Sequence, residues 1–330
     1  MKNLLYLFLI GVLFSCGGSG EEELNPEEPD VNSEPKEYIV SLGMTGEIEV
    51  SESPLLGRAS SDDLYGINVY YKTPSSDNYN SYAYGLFDDK SKMIISLLEG
   101  YEYKFVATMI VNGKNRVTHS GNSYWEPFAT GKSTTLSNYF NYNQGIMKGL
   151  DRGNTWLHPS SSTSVCPNTD RYYGETSDYT PSKDGSVSID MKRVVFGAKF
   201  IADGLTEGKL IINCAGESLN IEYGKTLEIE EIFTFGNSSP LGLTWTADNY
   251  SEERTISVSW EKSDGAIMPI VTGQLITFKR KTLTTITIKV KDSSVNNGVE
   301  ISQEPGDLIP GDNITIESGT GVENPVEPNI

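Results

Sequence analysis

The feature that most limits what this chain can fold into is a period-two alternation of apolar side chains, repeated in short runs from Tyr38 onward. Tyr101, Tyr103, Phe105, Ala107, Met109 and Val111 fall on one side of an extended segment, with Glu102, Lys104 and Thr108 on the other. Successive side chains of a strand point to opposite faces of its sheet, so a run of this kind is a strand half-buried against a core. Ile256, Val258 and Trp260 repeat the pattern, as do Ile286, Ile288 and Val290 with Thr285, Thr287 and Lys289 opposite. Further strands are expected near 38–50, 65–72, 81–87, 92–97, 187–201, 208–213, 218–222 and 269–279. Turn pairs separate the runs: Glu99-Gly100, Asn112-Gly113, Asp203-Gly204 and Asp264-Gly265. Asn-Gly followed by the run 114–117 predicts a hairpin. No long segment has helical period, and residues 227–235 are the short helix candidate. Many short strands with regular turns predict an all-β chain of antiparallel sandwiches.

The N-terminus carries a different signal. Lys2 precedes an unbroken apolar or small run over residues 4–14. This is the length of a signal-peptide core and too short to span a bilayer, which takes about 20 residues. The run ends Leu13-Phe14-Ser15-Cys16, which resembles a bacterial lipobox, with the bulky Phe14 a departure from it. The expectation is a signal peptide over 1–15 and a lipid on Cys16; the plainer alternative is an ordinary signal peptide with an incidental cysteine. Gly17-Gly18-Ser19-Gly20 and Glu21-Glu22-Glu23 begin a Pro-, Gly- and Glu-rich stretch to residue 36, read as a flexible lipidated tether over 16–36. Its acidic cluster resembles the surface-export signal of Bacteroidetes lipoproteins, although an acidic leash facing the periplasm would look the same. The expected localisation is the outer membrane, lipid-anchored and exposed at the cell surface.

Roughly 315 residues follow the signal peptide, enough for two domains at about 150 residues each. Residues 150–185 break the alternation with Ser160-Ser161-Ser162-Thr163-Ser164, prolines and scattered tyrosines, so the boundary is placed near 180. The expected organisation is a β-sandwich over 37–180, a second over 181–303 and a tail over 304–330, in which Ile314 to Ile316 is one strand-capable segment. A net charge of −19 argues against nucleic acid and against an anionic membrane face, both of which reward basic patches. With Cys16 lipidated, Cys166 and Cys214 remain; two cysteines in an exported protein could pair, but as they fall in different expected domains they are read as two free or buried thiols.

Chemistry-bearing motifs are scarce. The two histidines, His119 and His158, sit in polar loops, and no metal-spaced His or Cys set occurs. Ala129-Thr130-Gly131-Lys132-Ser133-Thr134 imitates the end of a P-loop, but Glu126 stands where the first glycine belongs, which makes it a turn. Asp62-Asp63 and Asp88-Asp89 lack EF-hand spacing and read as solvated turn acids. Tyr79, Tyr82, Tyr84 and Tyr172-Tyr173 could form a stacking platform for a sugar or a partner protein, or simply half-buried strand positions. No catalytic residue, metal or cofactor is expected.

Three pieces together resemble the fimbrillin family of Bacteroidetes: the lipobox with its acidic leash, residues 187–200 with Lys192-Arg193 at their centre, and residues 275–290 with Lys279-Arg280-Lys281 between two alternating runs. The resemblance loosely covers residues 38 to about 302. It implies two sandwiches of transthyretin-like topology in a lipoprotein that builds or anchors surface pili. In shaft subunits of that family a protease cuts after an Arg behind the first strands, and a strand from the next subunit fills the groove left behind. Carried onto this chain, the cut falls after Arg58 and before Ala59, residues 38–50 are the removable strand, and Ile314 and Ile316 mark a donor strand. The plain alternative is an uncut surface loop in an anchor or accessory protein. The expected function is therefore a subunit, anchor or tip of a pilus. Its partners would be other pilus subunits or copies of itself, host or bacterial surface glycans or proteins, and the membrane through Cys16. The alternative is a surface glycan-binding lipoprotein of a sugar-uptake system, and a hydrolase on a β scaffold is the remote third.

Overall fold

The alternating runs do form strands. The structure, a computed structural model, describes residues 35–47, 62–142, 145–153, 166–236, 244–290, 300–306 and 314–317, the last two stretches through their backbone. In chain order the first strands are β1 (Glu37–Gly46), β2 (Leu64–Lys72), β3 (Asn80–Phe87), β4 (Ile94–Leu98), β5 (Glu102–Ile110), β6 (His119–Ser120), β7 (Ser123–Tyr124), β8 (Thr134–Thr135), β9 (Arg171–Tyr179) and β10 (Gly185–Arg193). There follow β11 (Val195–Asp203), β12 (Lys209–Cys214), β13 (Glu217–Glu222), β14 (Glu228–Thr234), β15 (Ser251–Glu261), β16 (Ile267–Lys279), β17 (Leu283–Lys289), β18 (Glu300–Gly306) and β19 (Ile314–Glu317). The protein is all-β, built as layered sheets. No helix among the described residues is long and apolar enough to cross a membrane.

One sheet has seven strands in the order β3-β2-β5-β9-β10-β1-β4. It curls on itself: β3 and β4 lie at its opposite ends, yet the Tyr82 hydroxyl of β3 donates to the Ser96 carbonyl of β4 at 2.8 Å. The Tyr103 hydroxyl of β5 likewise accepts from Leu98 N–H at 2.8 Å. The two ends thus enclose one apolar cluster that includes Val40, Leu42, Ile67, Phe87, Ile95, Phe105 and Ile189. The other face carries Leu64, Val106 and Tyr173 against Phe128, Met147 and Leu150. Three buried polar side chains fix the segment after Met147. Asn68 brackets the Met147 backbone at 2.8 and 2.9 Å, Thr108 donates to Leu150 O at 2.7 Å, and Arg171 donates to the carbonyls of Gly149, Leu150 and Arg152. Burial works against the Arg171 charge and lowers its pKa. Those carbonyls would otherwise be left unsatisfied inside the protein, which is costly.

Beyond Val194 two further sheets, β14-β11-β17-β18-β19 and β13-β12-β15-β16, share a core. Phe196 of β11 stacks on Phe278 of β16 with centroids 4.3 Å apart. Two pairings are parallel, β1 with β10 and β11 with β17, an arrangement that alternation cannot specify.

Several local expectations are corrected. Residues 227–235 form a strand, not a helix. The glutamates there favour helix, but Lys199 lies opposite Glu230 and pairs with Glu228 at 3.0 Å, so pairing with β11 wins. Asn112-Gly113 makes no hairpin: Asn112 is left-handed, φ 53°, and opens the single helical turn Gly113–Arg116. The supposedly irregular stretch 150–185 contains β9, whose Tyr172 and Tyr173 are buried. The strand expected over 187–201 is two, because the chain passes from one sheet to another at the fully buried Val194, whose N–H donates to Arg171 O. The boundary expected near 180 lies between β9 and β10, which pair in one sheet, and β18 spans the expected start of the tail.

Candidate functional site

The alternation at Val40, Leu42 and Met44 points the site of interest at the sheet interior. Val40 and Leu42 are buried, Met44 is half-buried against the same cluster, and Ile39, Ser41 and Gly43 between them face solvent. β1 is hydrogen-bonded on both sides. It runs parallel to β10 with Val40 opposite Gly185 through Gly46 opposite Met191, and antiparallel to β4 with Glu37 opposite Leu98 through Ser41 opposite Ile94. Leu42 N–H continues the second ladder to Met93 O at 2.8 Å, and Glu99 N–H closes it on Lys36 O at 2.7 Å. The walls of this seat are apolar: Met93, Ile95 and Leu97 on one side, Val187, Ile189 and Met191 on the other.

The outer ties are polar and exposed. Ile39 N–H donates to Asp184 Oδ1 at 2.8 Å, the Tyr38 hydroxyl to Glu99 Oε1 at 3.0 Å, and Ser96 Oγ to Glu37 Oε2 at 2.8 Å. Bonds of this kind exchange readily with water and hold a strand weakly.

At its end β1 turns. Gly46 has φ +84°, and a Cβ there would lie 2.0 Å from Asp190 Oδ1, so only glycine fits without displacement. The turn delivers Glu47 to a cluster of donors drawn from distant parts of the chain. Arg280 Nη1 donates to Oε2 at 2.8 Å and Nη2 to Oε1 at 3.2 Å. Lys281 Nζ donates to Oε1 at 2.8 Å and Arg193 N–H to Oε2 at 2.8 Å. The Arg280 side chain is wholly shielded from solvent, and its remaining donors reach Ala247 O, Arg193 O and Asp248 Oδ1. Arg193 is itself held by the Asp170 carboxylate at 2.8 and 2.9 Å. Partial burial opposes the charge on Glu47, but the hydrogen bonds from Arg280, Lys281 and Arg193 outweigh it and hold the carboxyl below its ordinary value.

Sequence reasoning passed over Glu47, although it named both basic clusters that converge there, Lys192-Arg193 and Lys279-Arg280-Lys281. The signal was a lone acid behind Thr45-Gly46, and only the fold supplies its partners. Cys16, Arg58 and Ala59 lie outside the described residues. Ile314 and Ile316 belong to β19, the outer strand beside β18, with Ile316 opposite Ile301 and Ile314 opposite Gln303.

The aromatic platform is not assembled. Tyr172 and Tyr173 are buried, Tyr82 packs edge-on against Tyr71, Tyr103 and Tyr142, and Tyr79 donates to Glu102. Asp63 is buried rather than solvated and accepts from Asn112 N–H at 2.6 Å, while Asp88 pairs with Lys114 at 2.6 Å and Asp89 accepts from Ser91 N–H at 2.9 Å, as turn acids do. The P-loop look-alike lies in the connection between the paired strands β7 and β8, as a turn. Among the described residues, Cys166 and Cys214 are free and buried, in agreement with the sequence reading.

No family model matches this chain, and no curated protein does. Among solved structures, the chain is similar to a fimbrial assembly protein from Parabacteroides distasonis, at 9% identity and a TM-score of 0.40 over 86% of this chain and 100% of that one. It is also similar to a C-terminally truncated tip fimbrial protein from Porphyromonas gingivalis, at 11% identity and a TM-score of 0.29 over 82% of this chain and 100% of that one.

Proposed function

We propose that this chain is a structural or adhesive component of a surface pilus, assembled by replacement of β1 with a strand from another subunit. The observation that carries the reading is the seat of β1. Two inward apolar side chains, two main-chain ladders and a ring of exposed polar ties hold β1 between strands that belong to the rest of the sheet. Any extended segment with matching alternation can make the same ladder bonds, which is how strand addition gains affinity, while pockets for alternate side chains give selectivity. Residues 48–61, which join β1 to β2, include Arg58. A cut there severs the covalent link between β1 and the body of the protein without touching either wall of the seat.

In this reading the newly exported chain is tethered by a lipid on Cys16 at the outer membrane, facing the cell exterior. Cleavage between Arg58 and Ala59 detaches the tether together with β1. The segment from Ile314 to Ile316 then serves as the donor to a neighbour. The strands β1 to β10 and β11 to β19 act as the two sandwich domains of the subunit. The partners are other subunits or further copies of the chain.

The test is brief digestion of the folded full chain with an arginine-specific protease, followed by mass spectrometry and a gel without boiling. Cutting after Arg58 ahead of every other basic site is expected. Protection of Arg58 while other arginines are cut would sink the proposal.

A further inference from the structure

The ladder bonds and apolar pockets of the β1 seat accept many sequences, yet the seat ends in a group that does not. We infer that Arg280, Lys281 and the Arg193 amide form a carboxylate-reading site at the end of the strand seat, so that the strand replacing β1 must carry an Asp or Glu where Glu47 now lies. This rests on the strand-replacement reading above and specifies the chemistry of the partner.

The argument starts from what leaves with β1. Glu47 follows Gly46 directly and lies on the N-terminal side of Arg58, so it departs with the detached segment. Its departure removes the carboxylate from two Arg280 donors, from Lys281 Nζ and from Arg193 N–H. Asp248 and two carbonyls still hold Arg280 in place, so its guanidinium stays aimed at the vacated position. A planar guanidinium offering two parallel donors beside an ammonium and a main-chain amide is the arrangement that selects a carboxylate. A strand without one leaves a positive, largely desolvated cluster facing nothing.

The spacing is legible from β1: an apolar residue at 40, another at 42, and an acid at 47. The strand candidate in this chain's own tail does not meet it. In β1's direction, Ile314 and Ile316 in the places of Val40 and Leu42 put Gly321 where Glu47 lies, and shifting the pair by two positions puts Gly319 there in one direction and Glu323 in the other. The last register places Val322 where Gly46 lies, and a Cβ at that position would fall 2.0 Å from Asp190 Oδ1. The occupant is therefore a strand of a different subunit, with two alternating apolar residues, a glycine four positions beyond the second and an acid directly after it. The tail is left to a groove elsewhere in the assembly.

The experiment uses the full chain nicked after Arg58 and three fluorescent, C-terminally amidated peptides: residues 37–47, the same peptide with Glu47→Gln, and residues 312–323. Retention is read by size exclusion, and the first two peptides are compared again on the Lys281→Gln chain. The native peptide is expected to be held at least about tenfold more tightly than the Glu47→Gln peptide, since hydrogen bonds to charged groups contribute about 1.5–3 kcal/mol. The tail peptide should resemble the Glu47→Gln peptide, and Lys281→Gln should narrow the difference. Equal retention of all three peptides overturns the carboxylate reading while leaving strand replacement intact. Retention of none overturns both.

Discussion

β1 and β11 occupy matching places in their sheets and are held very differently. Each lies between one antiparallel neighbour and one parallel neighbour, β4 and β10 for the first, β14 and β17 for the second. β1 buries Val40 and Leu42 and shows Ile39 to solvent at 50% exposure. β11 buries Val195, Phe196, Ala198, Phe200 and Ala202, with Phe196 and Phe200 fully enclosed. Main-chain pairing is therefore similar in the two, and apolar burial separates them. At about 1.5–3 kcal/mol for each large side chain fully buried, the difference makes β1 the more weakly held of the two. A fold can thus repeat one topology and hold its two copies with unequal strength, by choosing what the strand buries rather than what it pairs with.

The largest expected effect tests the permanent strand. Phe200→Ala should cost about 4 kcal/mol in urea unfolding, as large-to-small changes at enclosed aromatic sites do. A cost below that of Leu42→Ala would break the comparison. Leu42→Ala should cost less, about 2 kcal/mol, because its site opens toward an exposed rim, and it should speed amide exchange in β1 while leaving β11 protected. Equal acceleration in both strands would mean that β1 does not open on its own.

Glu47→Gln is the smallest and most specific change. It should cost about 1.5 kcal/mol and remove one pH dependence of β1 protection. Because the Glu47 carboxyl is held below its ordinary value of 4.5 in the folded state, its contribution is complete above that value and fades as pH falls through the folded pKa. Native β1 should therefore loosen on acidification below about 4.5, and the Glu47→Gln variant should lack that step. The groups facing Glu47 are Arg193, Arg280 and Lys281, and Asp170 and Asp248 contact those residues rather than Glu47. A step that survives in the variant would show that Glu47 is not its source.

Much of the fold was readable because strand alternation is local. The runs around Tyr103, Val258 and Ile286 lie in β5, β15 and β17 as expected. The readings that failed depended on neighbours far along the chain. β14 looked helical until Lys199 was placed against its glutamates, and β9 was hidden because its tyrosines serve a core that the surrounding Ser- and Pro-rich sequence does not announce. Arg171 gave no sign of being buried, since its acceptors are backbone carbonyls, which no side-chain pattern encodes.

The sequence alone settled that this is an all-β chain, since the direction of each side chain follows from its place along an extended backbone. It also marked 38–50 as an alternating segment, for the same reason. The tertiary structure decided which strands lie beside β1 and that Glu47 meets Arg280 from 233 residues away. Those outcomes depend on how sheets curl and stack to bury their apolar faces, and that burial is a property of the whole chain rather than of any segment.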